Sequence, residues 1–368
     1  MQHMRLIVTG GGTGGHLFPG IALATAMQER VPGTQVLFIG TSRLLDQEAL
    51  ADRGFELATL NCGGVKGLSV ARKMWSLAQM VPAVWAAWRM LRRFRPDLVF
   101  GVGGYVTGPV LLAARMLGVP VVIHEQNSVP GMANRLAGRL ADRICISLPC
   151  ESSFPSAKTV QTGNPVRQEI LAAAKGERPA QEVPTLLILG GSQGAHRVNL
   201  LTLEAAELLV AEGLPVRFIH QTGKADEAIV REAYRRLGVE AEVSAFISDM
   251  AGVYGRADLA VSRAGATTLA ELAVMGLPAL LVPYPFAADN HQLMNGKYYE
   301  KAGGCIVFEE AVLTGPFLAK VLSERLHNRA ELHTMTAKMR AMALPEAAAR
   351  IVDECLRLVP PLNGKFSF

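Results

Sequence analysis

Two stretches of this chain, one opening each half, follow the same plan: an apolar run, a turn crowded with glycine, then apolar residues at helical spacing. The first is RLIVTGGGTGGHLFPG, Arg5 to Gly20, and the second is TLLILGGSQGAHRVN, Thr185 to Asn199. A strand that ends in glycines and turns into a helix leaves backbone N–H groups bare at the helix N-terminus, which suits a phosphate or diphosphate. A third glycine turn, GVGGYVTGP, follows the strand-like run at Asp97 to Phe100. Strand-like runs alternate with helical patterns nearly throughout: LIVTG, VLFIG, DLVFG, VPVVIHE and DRICIS, then TLLILGG, PVRFIHQT, AEVSAF, ADLAVS, PALLVPY and GCIVF. That alternation predicts an α/β fold of two doubly wound, Rossmann-like domains whose parallel sheets face a cleft.

With 368 residues, 50% of them hydrophobic and 19% charged, the chain is long enough for two separate cores. The stretch GNPVRQEILAAAKGERPAQEVP, Gly163 to Pro184, is rich in Pro, Gly and charge at its end and reads as the linker. The expected division is 1–163, 164–344 and 345–368, the last holding a helical run, PEAAARIVDECLRLV, that closes the fold and a frayed tail, PPLNGKFSF.

The first glycine turn invites a dinucleotide, since Gly10, Gly12 and Gly15 satisfy G-x-G-x-x-G. A nicotinamide fold needs an acid at the end of its second strand to hold the ribose. TQVLFIGTSR ends instead in Arg43, which leaves only an NADP reading, and the first acid comes at Asp46. The second turn, GGSQG, also satisfies the G-x-S-x-G of serine hydrolases. The acid and histidine such an enzyme needs, Asp289 and His291, are two residues apart and cannot come from separate elements, and an early H-G-G-G loop is missing.

Net charge +5 favours anionic partners, yet basic residues come in short groups such as RRFR, Arg92 to Arg95, so nucleic acid is not the expected ligand. Five scattered cysteines without C-x-x-C spacing indicate neither a disulfide framework nor zinc, and reduced cytosol fits them. The eight histidines are dispersed, and neither H-E-x-x-H nor a D-x-D pair is present to hold a metal. A leaving diphosphate would then be stabilised by backbone dipoles and arginine, with Arg167 in GNPVR as a candidate. In SRAGATTLAELAVMGLPALLVPYP, small residues, Thr267 and Thr268 open a helix, and an exposed Glu271 one turn further on suits a ribose diol; a capped helix with a first-turn Glu is the plainer alternative. His16, directly after the glycine turn, has a pKa suited to taking a hydroxyl proton, with His124 and Glu125 in reserve. Met74, Leu77, Val81 and Trp85 recur at spacings of three or four beside Arg72, Lys73, Arg89, Arg92 and Arg93. Such a stripe serves either a membrane surface or a buried helix face.

Taken in order, GGTGGH, GVGGYVTGP, HEQN, GNPVR, GGSQGA, AFISDM, SRAGATTLAEL, PALLVPYP and DNHQLMN cover most of the chain. This set closely resembles the MurG-type N-acetylglucosaminyltransferases, which act on undecaprenyl-pyrophosphoryl-N-acetylmuramyl-pentapeptide in bacterial wall synthesis. The resemblance implies a GT-B glycosyltransferase, inverting, independent of metal and without a cofactor. The first domain would hold the undecaprenyl-linked acceptor lipid and the second UDP-GlcNAc. Carried over by motif, Thr13, Gly14, Gly15 and Asn127 would contact the donor from the first domain. Arg167, Ser192, Ile247, Ala266, Thr267, Thr268, Leu269, Ala270, Glu271 and Gln292 would do so from the second, with Glu271 on the ribose and the Ile247 backbone near the uracil. The expected place is the cytoplasmic membrane face, as a peripheral protein, with wall-synthesis or division proteins as further partners. Many members pair two glutamines where this chain has His291 and Gln292, which leaves the role of His291 open.

Overall fold

The structure, a computed structural model, describes residues 3–11, 14–41, 47, 50–51, 53–60, 70–150, 153–176, 182–191 and 194–359, and the side chains of 70–79 are not among what it describes. It divides into two compact units. The first holds the described residues up to Arg167 and again from Glu346 onward; the second is Gln168–Pro345.

The first unit is built on seven parallel strands: β1 (Arg5–Gly10), β2 (Gln35–Gly40), β3 (Glu56–Thr59), β4 (Leu98–Gly103), β5 (Val121–Glu125), β6 (Arg143–Ile146) and β7 (Thr159–Gln161), in the spatial order β3-β2-β1-β4-β5-β6-β7. Its helices are α1 (Gly14–Arg30), α2 (Val70–Phe94), α3 (Thr107–Met116) and α4 (Met132–Leu140). Strands β4 and β5 are buried along their whole length. Their near-continuous apolar runs are what a strand covered on both faces requires. Successive residues serve opposite faces: Leu6, Val8 and Phe100 pack with Leu17, Ile21 and Met27 of α1, while Ile7, Val99 and Ile123 pack with Ala87 and Leu91 of α2 and Val110 of α3.

The second unit has six strands, β8 (Thr185–Leu189), β9 (Arg217–Gln221), β10 (Ala241–Ser244), β11 (Leu259–Ser262), β12 (Ala279–Leu281) and β13 (Cys305–Val307), ordered β10-β9-β8-β11-β12-β13 and again all parallel. The helices here are α5 (Gln168–Ala173), α6 (His196–Ala211), α7 (Glu227–Leu237), α8 (Met250–Arg256), α9 (Ala266–Met275), α10 (His291–Ala302), α11 (Gly315–His327) and α12 (Arg329–Ala341). The stretch read as a linker therefore contains a helix, α5, that packs on α8 and α9 of this unit. The last helix, α13 (Ala347–Leu356), returns to the first unit, lays Ile351, Val352 and Cys355 into the core under α1, and is tied to β6 by Arg143 Nε to Glu354 Oε2 at 2.8 Å.

In each sheet the strand order reverses once, between β1 and β4 in the first unit and between β8 and β11 in the second. Loops leaving adjacent strands diverge at such a point and open a crevice beyond the carboxyl edge, where open α/β sheets bind their ligands. The glycine turns after β1, β4 and β8 all lie at these reversals, as does the loop into α9.

Candidate functional site

In the first unit the turns after β1 and β4 press against each other. Gly10 and Gly11 have φ of +149° and +128°, and Gly103 and Gly104 of +102° and +92°. A Cβ on Gly10 would sit 2.3 Å from Val102 Cγ2 and 2.7 Å from the Gly103 carbonyl oxygen, so only glycine fits there. Thr107 Oγ1 fastens the second turn by donating to the Gly103 carbonyl at 2.9 Å.

His16 is the third residue of α1, half-buried, with its ring over Gly103, where a Cβ would come within 3.1 Å of His16 Cε1. His16 Nδ1 lies 3.3 Å from Gln126 Oε1. Gln126 Nε2 faces the Val102 carbonyl at 3.0 Å and His124 Nδ1 at 3.2 Å. His124 Nε2 in turn meets the Gly163 carbonyl at 3.0 Å. Burial, with a smaller contribution from His16, lowers the pKa of His124 to about 4, against the hydrogen bond to Gly163, so it is neutral at physiological pH.

The two reserve candidates for the base are thereby corrected. His124 is fully buried and lies behind Gln126. Glu125, also buried, accepts from the backbone N–H and Nδ2 of Asn127 at 2.9 and 3.1 Å through Oε1, and from the Gly131 N–H and Asn134 Nδ2 at 3.2 and 2.9 Å through Oε2. With both oxygens occupied, it organises the loop that carries Asn127 into α4.

Arg167 also departs from expectation. Grouped in advance with the second domain, it is the last residue of the first unit, and its guanidinium lies 4.8 Å from the centre of the Phe18 ring. A Cβ on Gly14 would meet Phe18 Cε2 at 3.1 Å, so Phe18 links the arginine to the opening turn of α1, where Gly14 and Gly15 stand. Thr13 and Ser192 lie outside the described residues.

In the second unit, the turn after β8 leans on the end of β9. A Cβ on Gly194, at φ +77°, would fall 2.3 Å from the Thr222 carbonyl oxygen. Gln221 spans the edge: its Nε2 donates to the Gly191 carbonyl at 3.0 Å, and its Oε1 accepts the Ile247 N–H at 3.0 Å. The Ile247 N–H is thus engaged within the unit. Beneath lies a buried polar chain: His220 Nδ1 meets the Tyr234 hydroxyl at 3.0 Å, its Nε2 meets Asn199 Oδ1 at 3.1 Å, and Asn199 Nδ2 donates to the Thr222 carbonyl at 2.9 Å and Asp226 Oδ2 at 2.7 Å.

At the next strand end, α9 starts at Ala266 behind Gly265, whose missing side chain leaves the opening N–H groups without a side-chain cap. Thr267, Thr268 and Ala270 are half-buried, whereas Ala266 is buried and Leu269 packs fully into the interior. Glu271, expected to be exposed, is buried at 4% exposure and accepts a 3.0 Å hydrogen bond from the Tyr254 hydroxyl through Oε2. A buried carboxylate stays where it is only when donors satisfy it, and α8 supplies one. Gln292, near the start of α10, accepts the Tyr284 N–H through Oε1 at 2.9 Å, which turns its NH₂ outward as a donor. His291 donates from Nδ1 to the Ala288 carbonyl at 2.7 Å, closing a turn whose Asp289 and Asn290 both hold φ +53°. Arg263 pairs with Glu310 Oε2 at 2.6 Å and donates to the Val282 carbonyl at 3.0 Å, fixing the segment before Tyr284.

Among the described residues no group of three or more His, Cys, Asp or Glu is placed to hold a metal ion. Burial raises the thiols of Cys145, Cys150 and Cys305 to about 12 and holds that of Cys355 well above the usual thiol range, so these are inert apolar fillers. Gln126, Gln221 and Tyr254 are the site residues that motif reading overlooks; the signal available was their place in HEQN, at the end of RFIHQ, and one helix before Glu271.

Comparison with known proteins places these features in a family. Residues 6–146 match the glycosyltransferase family 28 N-terminal domain, and residues 185–351 its C-terminal domain. A protein of Desulfotalea psychrophila is 48% identical over 360 residues, covering 97% of this chain and 98% of that one, and one from a Geobacter species is 45% identical, covering 95% of each. Both are named UDP-N-acetylglucosamine–N-acetylmuramyl-(pentapeptide) pyrophosphoryl-undecaprenol N-acetylglucosamine transferase. The crystal structure of Acinetobacter baumannii MurG matches with a TM-score of 0.76 at 33% identity, covering 96% of this chain and 99% of that one. Two doubly wound parallel sheets of GT-B type, matched end to end by relatives at this identity, make the chain a member of glycosyltransferase family 28, in the family of the N-acetylglucosamine transferases that bear that name.

Proposed function

We propose that this chain transfers N-acetylglucosamine from UDP-GlcNAc to the 4-hydroxyl of the N-acetylmuramyl unit of undecaprenyl-pyrophosphoryl-N-acetylmuramyl-pentapeptide. The acceptor oxygen attacks the anomeric carbon, the bond from that carbon to the diphosphate breaks with inversion, and UDP leaves. The product is the β-1,4-linked lipid that feeds peptidoglycan synthesis. The observation that carries this reading is 48% identity across 97% of the chain to a relative bearing that activity as its name.

The first unit takes the acceptor and the second the nucleotide sugar. His16 is the base that receives the hydroxyl proton. The turn at Thr13, Gly14 and Gly15, with Asn127, meets the sugar and diphosphate, and Arg167, held on Phe18, supports the charge that grows on the leaving UDP. In the second unit Ser192 and the opening turn of α9, Ala266, Thr267 and Thr268, take the phosphates, while the Leu269 N–H, which donates to the Gly265 carbonyl at 2.9 Å, and Ala270 stand behind them in the helix. Glu271, oriented by Tyr254, accepts from the ribose hydroxyls, and Gln292 donates to the sugar. Since the Ile247 N–H is taken by Gln221, its carbonyl is the group that faces uracil N3–H. The deciding measurement is UDP release from UDP-GlcNAc with and without a soluble analogue of the lipid acceptor. Acceptor-dependent release is expected; release that ignores the acceptor, or none, overturns the reading.

We further propose that α2 docks on the cytoplasmic membrane face, where a lipid-linked acceptor resides. Among the described residues no helix is long and apolar enough to cross a membrane. On α2, Ala83, Ala87 and Leu91 face the core, while Val81 and Trp85 are 73% and 58% exposed. The side chains of Arg72, Lys73, Met74 and Leu77 lie outside the described residues. Arg89 stacks over the Trp85 ring at 4.8 Å. Apolar side chains bedded among arginines suit an anionic bilayer surface.

A further inference from the structure

The hydrogen bonds around His16 carry more than its position. His124 Nε2 faces the Gly163 carbonyl at 3.0 Å, which only accepts, and the Ser147 hydroxyl at 3.1 Å, which accepts as readily as it donates; a bare Nε2 would set its lone pair against the carbonyl, so Nε2 bears the proton. His124 is neutral, and its other nitrogen, Nδ1, therefore carries a lone pair and asks for a donor. Gln126 faces that lone pair at 3.2 Å and the Val102 carbonyl at 3.0 Å, two groups that both need an N–H. Only one orientation of the amide satisfies them, with NH₂ toward β4 and β5 and Oε1 turned away; the flipped amide would set its oxygen against two acceptors in a buried site. That Oε1 is what His16 Nδ1 meets at 3.3 Å. An amide oxygen only accepts, so His16 Nδ1 carries its proton and the lone pair of the neutral ring resides on Nε2.

We infer that Gln126 is a positioning residue that fixes the tautomer of His16, making Nε2 the nitrogen that accepts the proton of the attacking hydroxyl. The inference rests on the reading of His16 as the base. A histidine base is oriented by the partner of its second nitrogen, and here a buried amide held by a second, neutral histidine takes that part. Because Gln126 is neutral, it sets the tautomer without adding a charge that would oppose ionisation of nearby phosphates. Both Gln126 and His124 lie on the strand-end segment beside the glycine turn, so parallel pairing of β4 with β5 brings the chain of bonds to His16.

The test reads the tautomer directly. In the full chain labelled with ¹⁵N-histidine, the ring nitrogens of His16, identified as the signals missing from His16→Gln, are expected to show protonated Nδ1 and bare Nε2. In Gln126→Met the signals should move toward the Nε2-protonated form, with kcat down roughly tenfold or more and KM for UDP-GlcNAc within about twofold. A wild-type spectrum showing protonated Nε2 overturns the inference, and so does a folded Gln126→Met enzyme that keeps its kcat. Should that variant fail to fold, the wild-type spectrum alone decides. A wild-type chain that releases no UDP overturns the reading of function and leaves the tautomer measurement standing, so the two failures are told apart.

Discussion

Glu271, the proposed ribose acceptor, is buried with one oxygen held by the Tyr254 hydroxyl, so its side chain has lost rotamer freedom before any ligand arrives. Replacing it by alanine removes the ribose acceptor and leaves Tyr254 buried without that partner, so UDP affinity should fall by roughly tenfold or more, about the worth of one hydrogen bond to a charged group. Tyr254→Phe keeps the carboxylate and removes only its restraint, so a smaller loss is expected. Calorimetry with UDP checks the order, and a Tyr254→Phe chain that binds more weakly than Glu271→Ala would refute it. His16 gives the complementary case. His16→Ala should lower kcat by about 10²- to 10⁴-fold with little change in UDP affinity, the mark of a group used in the transition state. The glycine turns and the place of His16 beside the first of them are legible in the sequence because a turn motif is local: its residues are neighbours along the chain. Gln126, Gln221 and Tyr254 act on partners more than fifteen positions away, and which partner they reach depends on strand register and helix packing that HEQN or RFIHQ does not contain.

Among the elements, α2 and α13 answer opposite questions about an apolar stripe. Along α2, Ala83, Ala87 and Leu91 lie against the sheet, while the large apolar Val81 and Trp85 stand on a face that folding leaves open to solvent. Charge placed on that outer face should leave folding intact and weaken attachment. A Val81→Glu, Trp85→Glu chain is expected to keep its circular dichroism and unfolding midpoint and to float poorly with anionic vesicles, while wild type floats in a salt-sensitive manner. Equal flotation would place the docking surface elsewhere. In α13 the stripe is core. Ile351 is fully buried under α1, and Ile351→Ala should cost about 2 to 5 kcal/mol by the cavity it leaves, read as a lowered urea midpoint for the first unit. In the second sheet the apolar runs mark β8, β9, β11, β12 and β13, because strands packed in a parallel sheet need such runs, whereas the edge strand β10, AEVS, buries only Val243. The strands that the apolar pattern leaves unmarked are β3 and β7, the two edges of the first sheet, four and three residues long and ending in polar side chains. At an edge, backbone pairing on one side suffices and no apolar run is demanded. The destination of α13 is equally unmarked: its amphipathic pattern says that it packs, and only the salt bridge from Glu354 to Arg143 and the apolar side chains beneath α1 say where.

At the scale of the whole molecule, each unit encloses a histidine that folding keeps neutral: His124 in the first, lowered to about 4 by burial, and His220 in the second, lowered by burial to about 3 against the pull of Asp226. Both stand beneath a strand end of the candidate site, one behind Gln126 and the other behind Asn199. In the unfolded chain each returns to the ordinary value near 6.5, so between that pH and the folded value the unfolded state binds more protons. Stability is accordingly full above about pH 6.5 and declines as the pH falls toward 4, by about 2 kcal/mol per histidine at pH 5. The carboxylates Glu232 and Glu242, lowered by their arginine partners, lose their contribution only at more acidic pH and are largely exposed, so they do not mask the trend. Urea unfolding at pH 8 and pH 5 should show midpoints falling for both units. His220→Gln, which keeps hydrogen-bonding capacity at that position without a titrating ring, should flatten the response of the second unit while the first still responds. Midpoints that do not move between the two pH values would mean that the buried rings find a proton acceptor on charging, and with it that the bonds supporting both strand ends rearrange instead of breaking.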